Sequence, residues 1–200
     1  MNTVITIGRE FSSGGREFGR KLAEELGFDY YDKEIITEIS KRTELSEKYV
    51  QQVIEHSPHD LLPITIGHSF AYLHSSALEQ TQAVFREQSN VIKEMAEKSN
   101  CVIVGRCADY ILRDLNPYRF FIYADMESKI KRCRQHLDEN DKLSDKQIKR
   151  IIKRIDKSRA RYYDFYTGLQ WGNKINYDMC VNTSKMDIEK EVAEIARMFK

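Results

Sequence analysis

Short apolar runs alternate with longer segments of helical periodicity along this chain. Five runs rich in β-branched, aromatic or sulfur-containing residues predict buried strands at 4–7, 28–31, 101–104, 120–123 and 179–181. Between them, apolar residues recur three or four positions apart, which predicts helices at 17–26, 33–41, 46–56, 77–98, 127–137, 145–163 and 187–199. The alternation predicts an α/β fold, a three-layer open parallel sheet with flanking helices that binds ligands at the C-terminal ends of its strands.

Length and composition favour one domain. The chain has 200 residues, of which 41% are hydrophobic, enough for one sizeable core and too few for two comfortable ones. We therefore expect residues 1–200 to form a single domain. Pro58, Pro63 and Gly67 interrupt the helical pattern, so a loop or a broken helix is predicted at 57–76.

The charge balance argues against a whole-molecule attraction to nucleic acid or to a membrane. Lys plus Arg number 32 and Asp plus Glu number 31, so any basic function must be local. An aromatic stretch at 161–171 has a composition that can stack single-stranded bases, but the neutral charge favours helix packing. No apolar stretch approaches the roughly 20 residues that a bilayer span needs. We expect a cytoplasmic protein with neither nucleic acid nor membrane as a partner.

Neither the cysteines nor the histidines have the spacing of a disulfide framework or a zinc site. The four cysteines form no Cys-x-x-Cys pair, and two lie in predicted buried strands, so we expect reduced, packing thiols at Cys101, Cys107, Cys133 and Cys180. No histidine pair in the 57–76 region and its flanks has the helical i, i+4 spacing with a supporting glutamate. These histidines are interpreted as loop residues: His56, His59, His68 and His74.

A glycine-rich loop follows the first predicted strand, at 8–16. Its small residues let backbone N–H groups approach an anion, and the next helix adds a favourable dipole. Arg9 and Arg16 add guanidinium groups that match phosphate oxygens. The alternative is a strand-to-helix turn that binds nothing. The predicted phosphate-binding residues are Gly8, Arg9, Ser12, Ser13, Gly14, Gly15, Arg16 and Glu17.

Five segments, taken in order, resemble motifs of bacterial cytidylate kinases. Residues 5–23 resemble the opening of those enzymes, and residues 31–32 resemble their Leu-Asp pair. Residues 104–106 resemble their Gly-Arg-Asp motif. Residues 156–159 resemble the Asp-x-x-Arg of their lid helix, and residues 182–184 resemble their Asp-Thr-Thr. The chain looks closest to the group called cytidylate kinase-like proteins. The resemblance implies a P-loop kinase type of fold, ATP and magnesium as cofactors, and a helical lid at about 138–162.

Several chemical positions depart from the pattern that the resemblance implies. The full Gly-x-x-x-x-Gly-Lys-Ser/Thr sequence is absent, because Gly15 occupies the lysine position and Glu17 the position of the magnesium-binding hydroxyl. Either Arg16 supplies the missing cation or phosphoryl transfer is impaired. Glu38 and Cys107 replace an arginine and an aspartate at acceptor positions, so the acceptor itself is open.

Two residues at predicted strand ends are candidates for the acceptor site. Arg106 follows an apolar strand directly and is assigned to an acceptor phosphate, the alternative being a structural ion pair with Asp109 or Asp125. Asp32 is placed near the acceptor or a metal ion, although it is equally well placed to cap the next helix.

The predicted lid helix carries further candidates. Arg154, Arg159 and Arg161 lie beyond the polar stretch at 138–142, where closure would bring arginines over a transferring phosphoryl group. The alternative is that these arginines lie on a solvated helix surface, where neighbouring charges satisfy each other. Asp156 would orient Arg159 or hold magnesium through water, or serve as a plain intrahelical partner. The predicted catalytic set is Arg16, Asp156, Arg159 and Arg161.

The function expected from these features is ATP-dependent phosphoryl transfer to a nucleoside monophosphate, with a CMP- or dCMP-like acceptor. Two alternatives stay open. One is a nucleotide- or phosphate-binding regulatory protein without turnover, and the other is a kinase of a different small metabolite.

Overall fold

The computed structural model describes residues 2–55, 71–137 and 143–199, without the side chains of 55 and 71–78. Of the loop or broken helix predicted at 57–76, residues 57–70 lie outside this description, as do His56, His59, His68 and the first lid residues, 138–142. The strands are β1 (Val4–Arg9), β2 (Asp29–Tyr31), β3 (Cys101–Val104), β4 (Tyr118–Tyr123) and β5 (Met179–Asn182). The helices are α1 (Gly15–Leu26), α2 (Lys33–Thr43), α3 (Glu47–Glu55), α4 (Ala71–Lys98), α5 (Ala108–Ile111), α6 (Met126–Gln135), α7 (Asp145–Thr167) and α8 (Ile188–Ala196).

The five strands form one parallel sheet in the order β2-β3-β1-β4-β5. Ile7 of β1 lies opposite Val104 of β3, and Gly8 lies opposite Phe121 of β4. This register brings the C-terminal ends of the three central strands to one edge of the sheet. Open parallel sheets place ligands at that edge.

Helices cover both faces of the sheet, which confirms the predicted three-layer architecture. On one face, apolar residues of α1 and α8 pack against the sheet, and Phe18 of α1 meets Phe120 of β4 edge-on at 6.3 Å between ring centroids. On the other face, α2, α3, α4 and α5 contribute a second apolar layer against Cys101 and Ile103. No helix within the described ranges is long and apolar enough to cross a membrane.

The boundaries of the longest helices follow local signals. Ser144 caps α7 through a reciprocal capping box with Gln147, so the predicted start at 145 is confirmed. The helix continues past the predicted end at 163 and stops where Gly168 adopts a left-handed conformation with φ +69°. The start of α4 lies six positions before the predicted one, so 71–76 are helical and the interpretation of His74 as a loop residue is wrong. The polar residues at 74–76 show no helical periodicity in the sequence.

The environment of one cysteine differs from the prediction. All four cysteines are free thiols, and Cys101 and Cys107 are buried as expected. Cys180, in contrast, is exposed, and the prediction of a packing residue there is wrong. The reason is topological: β5 is an edge strand, which pairs only with β4 and is covered less completely than the central strands.

Thiol labelling tests this distribution. We expect dithiobis-nitrobenzoate at pH 8 to modify Cys180 in the folded protein and to leave Cys101 and Cys107 untouched until denaturant is added. Burial raises the pKa of Cys101 to about 12 and that of Cys107 well above its usual value, so both thiols stay protonated at pH 8. Cys180→Ser, which lacks the exposed thiol, is the control. Rapid labelling of Cys101 or Cys107 in native buffer would contradict their burial.

Candidate active site

The loop between β1 and α1 is held by its own hydrogen bonds. The buried hydroxyl of Ser13 donates to the carbonyl of Glu10 at 2.9 Å and accepts from the N–H of Gly15 at 3.3 Å. Ser12 and Gly14 adopt positive φ angles of 59° and 81°. The chain therefore turns sharply before α1 begins, and the N-terminus of α1 faces the turn.

Backbone N–H groups are available at this turn. Among the described residues, none forms a hydrogen bond with the backbone N–H of Ser12, Gly14, Arg16 or Glu17. Free N–H groups at a helix start, together with the helix dipole, favour an anion. The loop thus has the donor set that suits the phosphate groups of a nucleotide.

Gly15, aligned with the lysine of the cytidylate kinase pattern, has no room for a side chain. A Cβ at Gly15 would lie 2.4 Å from Cβ of Arg9 and 3.2 Å from that of Ile122. At the preceding Gly14, which has a positive φ, a Cβ would lie 2.6 Å from Ile188. The absence of lysine is therefore built into the packing of the loop.

Arg16 binds a carboxylate at the end of β2. Its Nε lies 2.5 Å from Oδ2 of Asp32, whose side chain is 3% exposed. Asp32 occupies the position before α2, but its side chain forms no capping hydrogen bond. Its other oxygen, Oδ1, is buried without a hydrogen-bond partner and lies 3.9 Å from the Arg9 guanidinium. Arg16 and Asp32, predicted as separate site residues, thus form one ion pair.

Arg9 crosses the backbone of the neighbouring strand end. A Cβ at Gly105 would lie 1.7 Å from Nη1 of Arg9, so only glycine permits this crossing. Burial, followed by the charges of Arg159 and Arg106, lowers the pKa of Arg9 well below its usual value. Arg9, Arg106 and Arg159 therefore lie close together, and the buried carboxylate of Asp32 lies 3.9 Å from Arg9. An anion would stabilise this arrangement.

Arg106 sits on a strained turn and keeps one donor unpaired. Gly105, Arg106 and Cys107 have φ angles of 73°, 62° and 54°, a region that costs L-residues about 1–2 kcal/mol each. The Arg106 side chain is buried, and its Nε has no hydrogen-bond partner. Within the described ranges it forms no ion pair with Asp109 or Asp125, the structural alternative considered above. Strain and an orphaned donor at one position indicate a binding site.

A buried ion network joins the loop to α6 and α7, and the sequence analysis did not find it. Lys129, 5% exposed, lies 2.9 Å from both Glu10 and Asp156. Asp156 also accepts from the N–H of Phe11 at 2.6 Å. This predicted lid carboxylate therefore anchors the loop. Glu10 and Lys129 are 119 positions apart in the sequence, so no local motif predicts their contact.

A second network joins the other side of the loop to the end of β5. Arg132 donates to the carbonyls of Thr183 at 2.7 Å and of Ser13 at 3.4 Å. The Thr183 hydroxyl donates to the same Ser13 carbonyl at 2.6 Å. The segment at 182–184, recognised in the sequence, therefore fixes the loop through Thr183, whereas Arg132 was missed.

The lid arginines separate onto different sides of α7. Arg159 donates to the carbonyl of Arg9 at 3.3 Å, and its guanidinium lies 5.7 Å from the ring centre of Phe11. Arg161, two residues on and thus about 200° around the helix, is exposed, as is Arg154. Of the predicted lid arginines, the structure brings Arg159 to the loop.

A cleft lies where these groups meet, at the C-terminal edge of the sheet. Its empty volume is about 530 Å³, part of it open to solvent. It is lined by the arginine cluster (Arg9, Arg106 and Arg159), the loop start and a wall of aromatic residues that includes Trp171 and Tyr177. Three guanidinium groups and the carboxylate of Asp109 thus share the cleft with aromatic rings.

Comparisons with known proteins identify the family of this chain. The model of the cytidylate kinase-like family matches residues 4–185. This chain therefore belongs to the cytidylate kinase-like family, as the sequence motifs indicated. A search of curated proteins finds no match.

Solved structures share the fold over nearly the whole chain. An uncharacterized protein from Eubacterium ventriosum ATCC 27560 is 29% identical, with a TM-score of 0.68 and 98% coverage of both chains. Shikimate kinase from Bacteroides thetaiotaomicron is 14% identical, with a TM-score of 0.58 and 98% coverage of both chains. A sugar kinase from Janibacter sp. HTCC2649 is 10% identical, with a TM-score of 0.53 and coverage of 99% and 94%. The predicted P-loop kinase type of fold is confirmed.

The residues present fit ATP better than they fit a protein-held metal ion. The free N–H groups of the loop suit nucleotide phosphates. The usual hydroxyl ligand of magnesium is missing, because Glu17 stands at its position, and the nearby Ser13 hydroxyl already donates to the carbonyl of Glu10. In the part of the chain that the structure describes, no three His, Cys, Asp or Glu residues cluster as metal ligands. Magnesium would thus be held mainly by the nucleotide phosphates and water, as is common for this ion.

The ion network predicts a large effect of one substitution. We expect Lys129→Met to lower the free energy of unfolding by about 3–5 kcal/mol, because two partly buried carboxylates lose their shared cation. Urea unfolding followed by circular dichroism measures this change. Lys131→Met, on an exposed position of the same helix, should change stability by less than about 0.5 kcal/mol. Equal effects of the two substitutions would contradict a structural role for Lys129.

Proposed function

We propose that this chain transfers the γ-phosphoryl group of ATP to a small anionic acceptor, with a nucleoside monophosphate of the CMP or dCMP type as first candidate. The observation that carries the proposal is the arginine cluster of the cleft. Arg9, Arg106 and Arg159 lie together beside the phosphate-binding loop, and Arg9 also lies 3.9 Å from Asp32. Membership of a kinase-like family supports phosphoryl transfer in general.

Each group at the site has a role in this reaction. Loop residues 8–17 hold the ATP phosphates through backbone N–H groups. Arg106 binds the acceptor phosphate, and Asp32, paired with Arg16, lies near the acceptor. Asp156 holds the loop at Phe11 while Arg159 stabilises charge on the transferring group. An acceptor oxygen then forms the new bond to the γ phosphorus, the bond to the β–γ bridging oxygen breaks, and ADP leaves. Magnesium, when bound, neutralises phosphate charge.

The roles of Arg161 and Arg16 depend on movement or on a partner residue. Arg161 is exposed, so a catalytic role requires α7 and the lid at 138–162 to close over the site. Arg16 would act through Asp32, which it binds, or would leave that ion pair when phosphates arrive. The same proposal treats residues 1–200 as one catalytic domain that works on nucleotides in the cytoplasm.

Specific observations favour two other functions. Gly15 has no space for a lysine and Arg16 is engaged by Asp32, which favours a nucleotide-binding regulatory protein without turnover. Glu38, at the acceptor arginine position of cytidylate kinases, pairs with Arg42 at 3.0 Å on the surface of α2. That pairing, with the buried thiol of Cys107 at the aspartate position, favours a different small acceptor.

Release of ADP from ATP and magnesium tests the proposal. We expect turnover with CMP or dCMP in a panel of nucleoside monophosphates, together with shikimate as a non-nucleotide acceptor. Arg106→Ala and Arg159→Ala should each lower turnover by roughly 10²-fold or more, since a transition-state contact is lost. Arg150→Ala, an exposed residue of α7, is the matched control and should leave turnover unchanged.

The same assay separates the alternatives. Loss of turnover in Arg16→Ala at unchanged stability would indicate that Arg16 supplies the cation that the lysine provides in the usual loop pattern. ATP binding without turnover with any acceptor would contradict the kinase assignment and favour the regulatory protein. Turnover with shikimate and with no nucleotide would show that the acceptor is a different small metabolite.

A further inference from the structure

One fully enclosed polar side chain lies outside the residues assigned so far. Gln88 of α4 has no exposed surface. Its Nε2 donates to the carbonyl of Arg106 at 2.9 Å, and its Oε1 accepts from the hydroxyl of Tyr162 at 3.4 Å. Burial keeps the pKa of Tyr162 well above its usual value, so the hydroxyl stays a donor, and the two contacts fix one orientation of the amide.

The carbonyl that Gln88 binds belongs to the strained turn after β3. Gly105, Arg106 and Cys107 all have positive φ angles. L-residues persist in this region only where their surroundings hold them. The buried amide of Gln88 holds the middle residue of the turn, the one whose unpaired Nε marks the cleft.

The hydroxyl that Gln88 binds belongs to α7. Tyr162 follows Arg159 by three positions and thus lies on a neighbouring part of the same helix surface. Its ring meets Phe85 of α4 edge-on at 6.4 Å between ring centroids, so α7 is packed against the helix that carries Gln88. Through this one amide, α4 contacts both the Arg106 turn and the helix that presents Arg159.

We propose that Gln88 is a positioning residue that aligns Arg106 with Arg159 for the anionic group of the acceptor. The identity of this ligand rests on the proposed function, whereas the alignment rests on the contacts of Gln88 alone. The phosphate-binding loop is held separately, by Lys129, Asp156 and Thr183. Loss of the Gln88 amide therefore weakens acceptor binding and spares ATP binding.

The substitution Gln88→Leu removes both hydrogen bonds at similar side-chain size. We expect the KM for CMP to rise roughly tenfold or more, because a buried carbonyl and a hydroxyl lose their partners, while the KM for ATP stays within about twofold. Asn90→Ala, at an exposed position of α4, is the control and should change neither constant.

A second readout needs no turnover. Trp171 is the single tryptophan of the chain and lines the cleft, so its fluorescence reports binding there directly. Titration with CMP and with inorganic phosphate should show the same loss of affinity in Gln88→Leu. If the wild type binds phosphate in this titration but turns over no acceptor, the kinase proposal fails while the role of Gln88 is still tested. If the wild type binds neither ligand in the cleft, the inference on Gln88 is overturned.

The variant Gln88→Glu distinguishes a positioning role from a general packing role. It also provides a test of the inference if Gln88→Leu does not fold. Burial raises the pKa of a carboxyl introduced there, and only its protonated form can donate to the carbonyl of Arg106. The affinity of Gln88→Glu for CMP, relative to wild type at each pH, should therefore recover as pH falls. Three results would each overturn the inference. The relative affinity of Gln88→Glu for CMP could be independent of pH. A Gln88 variant could bind ATP and CMP equally weakly, or could show no change in the KM for either.

Discussion

The site depends on the crossing of Arg9 over Gly105. The parallel register places Ile7 opposite Val104, so the chain leaves β1 and β3 side by side at the same edge of the sheet. A side chain at Gly105 would collide with the Arg9 guanidinium, which passes directly over that backbone toward Asp32. A buried guanidinium beside two others is stabilised by negative charge, which is why we propose an anion as the ligand of this cleft.

Two polar networks hold the phosphate-binding loop against its surroundings, one on each side. Lys129 binds Glu10 and Asp156, and through the N–H of Phe11 this network sets the position of α7. Thr183 and Arg132 bind the carbonyl of Ser13 from the end of β5. The loop that we assign to the nucleotide phosphates is thus joined to the helix that carries Arg159. Rigid placement of charged groups is the main means by which phosphoryl transfer is accelerated.

Sequence reasoning predicted the elements well and the contacts between them poorly. Continuous apolar runs such as 101–104 identify a central parallel strand, and periodicity identifies the helices, because both signals are local. The order of the motifs also placed Asp32, Arg106 and Arg159 near the site. The ion pair of Arg16 with Asp32 and the amide of Gln88 were missed, because a contact between residues far apart in the chain leaves no pattern in the spacing. Cys180 was misassigned since an edge strand and a central strand have similar short sequences.

A crystal structure with CMP and a non-hydrolysable ATP analogue would show whether the arginine cluster receives the acceptor phosphate. We expect the CMP phosphate between Arg9, Arg106 and Arg159, within hydrogen-bonding distance of Nε of Arg106, and the analogue's phosphates on the N–H groups of the loop. A CMP phosphate bound elsewhere, with Nε of Arg106 still without a partner, would contradict it.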